Sequence, residues 1–549
     1  MATADLPNSA SMNEANEHDP HNNNSYGTLV DTPYKYAELP VINVDDFNER
    51  VIRGYEEGSA EKGLPADDYV ARSLIPAGTA VLRDFSYVAP EIPEYIPDNC
   101  TGCMDCVTEC PDTAILGKVL GEAECTEKLG KLDEKDRETF EWQWAKTRKY
   151  YDSYEKKLGE GGRFAIIIDP SKCKGCAECV TVCDDLALKM IPKSDEKMEE
   201  IQRSHRLFKE FGPSDERFIN DNLLIDMMLK EQTHIYVGGA GSCAGCGEGT
   251  ALRMMCSATG AKYGDQWGIV AATGCNTVYT STYPYNPYLV PWTNSLFENA
   301  PADAMGVRAR WDQMGWEDKP LWVIGGDGAM FDIGFQSLSR MLASGMNIKV
   351  FVLDTQVYSN TGGQASTSTY IGQNTKMSQH GKLLGGKQER RKEIAQIAMM
   401  HPRTFVAQTT SAHTNHFYKA ILGALEFDGP AIINCYTTCQ PEHGVADNMA
   451  ADQARLAVDT RAFPLLIYDP RAGDRIRDRL SLQGNPAMKD DWWTNPKTGE
   501  LVDFIDFARS EGRFAKHFDK EGNPSLTLQA GKQDRLENWQ VLQELAGLR

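Results

Sequence analysis

The chain has 549 residues, 41% of them hydrophobic and 25% charged, and a formal net charge of −21. That is too long for one domain and apolar enough for large cores. The acidic balance argues against nucleic acid and anionic membranes as main partners, and no apolar run reaches the length of a membrane span. Fifteen cysteines, with no basic-then-apolar secretory signal ahead of them, favour metal sites over disulfides and a cytoplasmic protein.

Residues 1–27 are polar and rich in asparagine and read as a disordered tail. Residues 28–90, punctuated by Pro33, Pro40, Pro65, Pro76 and Pro90, read as an extended arm or small subdomain. Residues 91–195 carry the first strong pattern. Cys100-x2-Cys103-x2-Cys106-x3-Cys110 is followed by Cys173-x2-Cys176-x2-Cys179-x3-Cys183, the spacing of a bacterial two-cluster ferredoxin. Three close thiolates in a tight loop cap three irons of one [4Fe–4S] cube, and the fourth reaches the other cube. Cys100, Cys103, Cys106 and Cys183 are therefore expected on one cluster, and Cys173, Cys176, Cys179 and Cys110 on the other. Zinc is the alternative, but it prefers paired CxxC groups, which two complete four-cysteine runs fit poorly. Asp184 stands where proline usually follows the fourth cysteine. Residues 112–165 read as a helical insertion, clearest over Glu134–Lys157, and 196–231 as a charged helical linker.

Residues 232–465 read as a parallel-sheet α/β domain. It opens with a strand at His234–Val237 and a glycine-rich turn holding Cys243 and Cys246. Its centre is a βαβ unit from Leu321 to Gln364. Leu321–Ile324 is a short apolar run, Gly325-Gly326-Asp327-Gly328 a turn, Phe335–Ser344 a helix stopped by Gly345, and Lys349–Leu353 a second buried strand ending in Asp354-Thr355. Ligands of such sheets sit at the carboxyl ends of the strands. Asp327, the Thr355 hydroxyl and the carbonyls of the Thr355–Tyr358 turn form a hard oxygen set suited to Mg²⁺ holding a diphosphate. The glycines and the helix N-terminus offer N–H groups to the phosphates. GDG ending one strand and Ser359-Asn360-Thr361-Gly362-Gly363 ending the next is the thiamine diphosphate signature, with Thr355 where the general motif has Asn. Cys275 and Cys439 each end an apolar run. With Cys243 and Cys246 they can meet beside the diphosphate as a third four-thiolate cluster, whereas Cys256 and Cys435 read as core thiols. Residues 466–549 read as a C-terminal segment wrapping on a partner.

These motifs resemble the pyruvate:ferredoxin oxidoreductases, within the 2-oxoacid:ferredoxin oxidoreductases. The resemblance covers most of the chain from about Pro76 onward. It rests on IPEYIPDNCTGCMDC, the second cysteine run, CAGCGEG, ATGCN, NSLFENA, GGDGAMFDIGF and DTQVYSNTGGQ. It implies an α/β thiamine diphosphate domain preceded by a small α+β two-[4Fe–4S] ferredoxin-like domain, three [4Fe–4S] clusters, thiamine diphosphate and Mg²⁺. It assigns Mg²⁺ to Asp327, Thr355 and the Val357 carbonyl, and the diphosphate to Gly326, Gly328 and Ala329. Glu248 and Cys275 are placed on the cofactor with the turn Gln356, Val357, Tyr358 and Ser359, and Asn360 near the reacting carbon, so that Asn360 and Glu248 are the catalytic candidates. TTCQPEHG departs from the family pattern around Cys439, which leaves Cys435 as its competitor.

The resemblance also implies a second subunit that supplies the pyrimidine-activating glutamate, the 2-oxoacid pocket and most of the CoA site, in a dimer of heterodimers with ferredoxin or flavodoxin as acceptor. The expected reaction converts pyruvate and CoA to acetyl-CoA and CO₂. The VYSNTGGQ turn favours pyruvate over 2-oxoglutarate, the alternative, and low-potential clusters leave the reverse carboxylation open. A non-oxidative thiamine enzyme would need no clusters, and a pure electron-transfer module would need no GDG-to-YSNTGG unit.

Overall fold

The computed structural model describes residues 44–63, 74–378 and 385–549. The expected tail and the start of the arm lie outside the described residues. Within the arm, Val44–Phe47, Asn48–Ile52 and Arg53–Glu56 are helical rather than extended. They bury Phe47, Val51 and Ile52 against Tyr283 and Tyr285.

The ferredoxin-like part is built from four strands, β1 (Glu91–Tyr95), β2 (Ile115–Gly121), β3 (Gly162–Ile168) and β4 (Leu188–Pro192). β1 pairs antiparallel with β4 and β2 with β3. Each cysteine run bridges one strand of each pair, so the two runs are related by an approximate two-fold. The backbone repeats accordingly: Gly102 and Gly175 lie at φ 79° and 69°, Met104 and Ala177 at 74° and 64°, Thr113 and Leu186 both at 54°. Glycine is required at 175, because a Cβ there would lie 2.4 Å from that of Ala89.

The expected helical insertion 112–165 is bounded by strands, since β2 and β3 fall inside it. Its helices, Glu122–Gly130, Glu134–Phe140 and Ser153–Leu158, are interrupted where Ala145 bridges to Phe164. The charged pattern concealed an apolar side. Phe140, Trp144 and Phe211 pack ring on ring in a satellite core. The 196–231 stretch is likewise packed in place. The Asp195–Glu210 helix, capped by Ser194 accepting from Lys197 N, buries Leu207 and Phe208, and Leu224, Met227 and Met228 join the main core.

The larger part is an eight-stranded sheet of β5 (Gly268–Ala272), β6 (Trp292–Ser295), β7 (Leu321–Gly326), β8 (Lys349–Asp354), β9 (Phe405–Thr410), β10 (Ala431–Tyr436), β11 (Leu466–Tyr468) and β12 (Leu480–Ser481). Their order is β12-β11-β9-β10-β8-β7-β5-β6, parallel from β9 to β6. Alternate residues feed two cores, as a sheet buried on both faces requires. Trp322, Ile324, Phe351 and Leu353 face the helices Gly247–Tyr263 and Thr414–Glu426. Val323, Val350 and Val352 face Phe335–Ala343 and Ile394–Met399.

One expectation changes here. His234–Val237 is no strand: it makes the single Tyr236–Tyr288 bridge, with Val237 N donating to Pro287 O and Leu289 N to Ile235 O, before Gly238 and Gly239 turn at φ 82° and 75° against Asp112 and Ala80. The C-terminal segment packs on its own chain. β11 runs antiparallel along β9, and the Leu526–Leu545 helix buries Trp539, whose Nε1 donates to Asp490 O at 2.8 Å. Trp539→Ala is expected to cost about 3–5 kcal/mol, read as a lowered denaturant midpoint. An unmoved midpoint would mean that this helix does not dock as described.

Candidate active site

Four neighbouring strands, β10, β8, β7 and β5, end at Tyr436, Asp354, Gly326 and Ala272. Just past those ends come Cys439, Thr355, Asp327 and Cys275. The sheet order thus puts an oxygen pair between two thiols.

The oxygen pair is tightly made. Asp327 Oδ1 accepts from Thr355 N at 3.3 Å and Thr355 Oγ1 at 3.2 Å, and Thr355 Oγ1 also lies 3.0 Å from Val357 O. Asp327 Oδ2 accepts from Ser366 and Ser368 at 2.5 and 2.6 Å. Burial, then the charge of nearby Asp354, pushes the Asp327 carboxyl up to about 7. A hard divalent cation would offset that cost, and a carboxylate, a hydroxyl and a carbonyl are the donor set Mg²⁺ takes.

Beside it lies an open cavity bordered by Gly326, Gly328, Ala329, Cys275, Glu248 and Asn360. Gly328 is tied by packing, since a Cβ would sit 2.4 Å from the Tyr358 ring; Gly326 has nothing nearer than 3.8 Å. Glu248 Oε2 is buried without a hydrogen-bond partner. Its carboxyl is pushed up to about 8 by burial and then by Asp327. An orphaned polar atom on the cavity wall calls for a polar ligand, and the residues fit thiamine diphosphate. Val357, Tyr358 and Ser359 border the same space. Gln356 does not: it is fully buried, donates to Asp354 Oδ1 at 3.1 Å and accepts from Arg513 Nη2 at 3.0 Å. Its expected place on the cofactor is corrected, because its backbone lies at φ 57° and turns the side chain away.

The thiols gather in three sets. Cys100, Cys103, Cys106 and Cys183 border one cavity. Cys173, Cys176, Cys179 and Cys110 act electrostatically on one another. In each of these two sets the fourth sulfur accepts a backbone N–H four residues on, Ala114 N to Cys110 at 3.3 Å and Ala187 N to Cys183 at 3.2 Å. Cys275 feels the charge of Cys246, Cys439 and Cys243. Cys435 lies instead inside β10, opposite Leu353 and Thr409, with its thiol toward Tyr436 O. Burial raises Cys173 and Cys439 to about 12, a cost that bound iron would reverse by holding thiolates. Among the described residues no group of three or more His, Cys, Asp or Glu is placed to hold a single metal ion.

The sets are joined through a polar seam. Lys174, between Cys173 and Cys176, donates to Asp112 at 2.6 Å and to Ala240 O and Ser242 O at 2.9 Å, which ties it to the Cys243 loop. Arg253 donates to Val107 O and Cys110 O, and Thr250 to Glu109 O. Glu178 accepts from Ala450 N and Ala451 N at 3.1 and 2.8 Å, the first turn of the Ala450–Asp459 helix. Cys103 is exposed, so the first set faces outward and the second faces the Cys243 loop.

Several residues had no sequence signal. Ser366 and Ser368 follow the TGGQ turn in a run of small polar residues indistinguishable from a loop. Arg391 pairs with Asp354 across 37 positions. His443 Nε2 lies 2.9 Å from Thr355 O, and Arg513, paired to Glu511 at 2.5 Å, reaches the same carbonyl at 3.4 Å. Burial keeps the His443 imidazole neutral.

Residues 272–435 match the thiamine pyrophosphate enzyme, C-terminal TPP binding domain, and residues 92–115 a 4Fe-4S binding domain. The pyruvate synthase subunit PorB of Pyrococcus furiosus is 38% identical, over 51% of this chain and 86% of its own length. The pyruvate:ferredoxin oxidoreductase of Moorella thermoacetica is 26% identical, over 92% of this chain and 47% of its own. The probable pyruvate-flavodoxin oxidoreductase of Escherichia coli K12 is 29% identical, over 83% and 42%. The chain thus spans under half the length of these last two. A solved 2-oxoglutarate:ferredoxin oxidoreductase from Magnetococcus marinus overlaps 37% of the chain at 22% identity and a TM-score of 0.32, too low to bear on fold or substrate. No helix among the described residues is long and apolar enough to cross a membrane. With its parallel sheet, its two matched domains in this order and a 38% identical relative covered over most of its length, the chain belongs to the pyruvate:ferredoxin oxidoreductase family, which includes the PorB subunits.

Proposed function

We propose that this chain is the thiamine diphosphate and electron-transfer subunit of an oxidoreductase that converts pyruvate and CoA to acetyl-CoA and CO₂ and reduces ferredoxin or flavodoxin. The observation that carries this is the row of strand ends, with Asp327 and Thr355 flanked by Cys275 and Cys439. Asp327, Thr355 and the Val357 carbonyl would hold Mg²⁺, and the backbone of Gly326, Gly328 and Ala329 the diphosphate. Thiamine diphosphate, when bound, supplies an electron sink for decarboxylation. Glu248 would give its unpaired oxygen to the cofactor, and Asn360, exposed at the cavity rim, would orient the 2-oxoacid.

Cys243, Cys246, Cys275 and Cys439 would hold a third [4Fe–4S] cluster beside the cofactor. The Lys174 seam supports an order for electron flow: the third cluster first, then the cluster of Cys173, Cys176, Cys179 and Cys110, then the outward one of Cys100, Cys103, Cys106 and Cys183. A partner subunit would supply the pyrimidine-activating glutamate, the 2-oxoacid pocket and most of the CoA site, in a dimer of heterodimers. Exposed Val278, Leu296 and Ile333, near the cavity in sequence, support a covered mouth.

Anaerobic purification with the co-purifying subunit is expected to give about twelve irons per chain and one thiamine. Zinc in place of iron would overturn the reading. With CoA and a viologen, pyruvate is expected to turn over faster than 2-oxoglutarate; the reverse would overturn pyruvate as substrate. Asp327→Asn should weaken thiamine diphosphate retention by more than the roughly 10–100-fold that an outer-shell partner is worth. Cys439→Ala should drop the iron to about eight, while Cys435→Ala should keep about twelve; equal iron in the two variants would reassign the ligand.

A further inference from the structure

Arg83 pairs with no carboxylate among the described residues, in a chain of net charge −21. Its guanidinium lies over the Phe85 ring at 4.7 Å and the Tyr285 ring at 5.3 Å. Nη1 is buried against Gly241, where a Cβ would lie 3.1 Å away, and it has no hydrogen-bond partner. The adjacent carboxylate, Asp84, is turned to Ser86, accepting from its N at 2.7 Å and its Oγ at 3.0 Å. Lys174 shares the Phe85 ring at 4.8 Å, but it is paired with Asp112.

The surface around this arginine is apolar. Tyr87 and Val88, in the loop that follows it, are 80% and 49% exposed, and Leu82 before it is exposed as well. Toward the Cys243 loop, Gly241 N donates to Tyr279 O at 3.0 Å. Thr282 Oγ1 would lie 3.3 Å from a Cβ on Gly241 and donates to Val278 O at 2.7 Å. Val278 is exposed and belongs to the helix Cys275–Thr280, whose first residue borders the candidate cofactor cavity. The patch is therefore continuous with the mouth of that cavity.

Two rings hold the guanidinium in one place, so little side-chain freedom is left to lose on binding. A donor stripped of water and left unpaired is costly, and a carboxylate, which matches the planar fork of N–H groups, offsets that cost. A phosphate chain would need further donors, but the Gly241 amide is already bonded to Tyr279 O and the neighbouring side chains are apolar. An arginine ringed by exposed aromatic and aliphatic side chains has the make-up of a protein interface core. We propose that Arg83 anchors the surface on which the second subunit docks, receiving a carboxylate of that subunit set among apolar side chains that cover Tyr87, Val88 and Val278. This rests on the reading of a second subunit over the cavity mouth.

The test dilutes the complex purified with its co-purifying subunit and follows its dissociation by analytical ultracentrifugation, wild type against Arg83→Gln and Tyr87→Asp. Both variants should associate at least about 30-fold more weakly, with iron and thiamine per chain unchanged. Arg83→Lys keeps the charge without the fork and should recover part of the affinity. Tyr87→Asp, a change at the surface, decides the matter if Arg83→Gln fails to fold. Wild-type association in the folded variants overturns the docking surface, as does a lowered denaturant midpoint with association unmoved. A raised KM for CoA with association unmoved assigns Arg83 to a small anion and overturns it as well. A wild-type chain isolated with no second subunit removes the partner itself, and with it both readings.

Discussion

Two carboxylates, Asp327 and Asp354, end adjacent strands in a dry core, and the thiamine-binding half depends on how their repulsion is settled. Burial and then the charge of Asp354 disfavour ionising Asp327. Arg391, buried, gives one nitrogen to Asp354 and another to Ser368 O, which settles Asp354 within the protein. Asp327 receives only neutral donors, Ser366, Ser368 and the Thr355 amide and hydroxyl. The chain therefore balances one carboxylate itself and leaves the other for a cation. A buried pair of this kind costs desolvation, and it sits where that cost defines a ligand rather than stabilises the fold.

The second constraint is the seam between the two halves. Buried charged groups cross it in both directions: Lys174 and Glu178 from the ferredoxin-like side, Arg253 from the helix that follows Cys246. Each is satisfied by backbone or by an opposite charge, so sliding one half over the other would strand an ion in a low-dielectric interior. A rigid seam matters because electron transfer between clusters depends on distance. The C-terminal segment does similar work on the other flank. Glu511 and Arg513 reach under the Thr355 turn, so a stretch of sequence remote from the cofactor sets the position of a carbonyl beside it.

Much of this was legible in the sequence, because spacing along the chain determines what a single loop can hold. The two cysteine runs and the GDG and SNTGG strand ends needed only local geometry, and the apolar runs at 321–326 and 349–354 could only be buried strands. Cys243, Cys275 and Cys439 were harder, since their meeting depends on the sheet order β10-β8-β7-β5. What stayed hidden was the support. Arg391, His443 and Arg513 act across 37, 88 and 158 positions, with no periodicity to betray them. Charge misled where amphipathic helices carried one apolar side, at Phe140 and Trp144 and again at Leu207 and Phe208. Gln356 was misplaced because one positive-φ residue inverts the direction of a side chain inside a motif.

The approximate two-fold of the ferredoxin-like part has a further consequence at one pair of matched positions. After the first cysteine of each run stand Thr101 and Lys174, and two residues beyond each fourth cysteine stand Asp185 and Asp112. Thr101 donates to Asp185 at 2.6 Å on the surface, while Lys174 donates to Asp112 at 2.6 Å inside the seam. The same architectural slot is a hydroxyl-to-carboxylate contact in water in one half and a sealed ion pair in the other. A duplicated unit has thus been divided between two kinds of constraint. The inner copy is fixed by the fold it leans on, and the outer copy is held only by a contact at the surface.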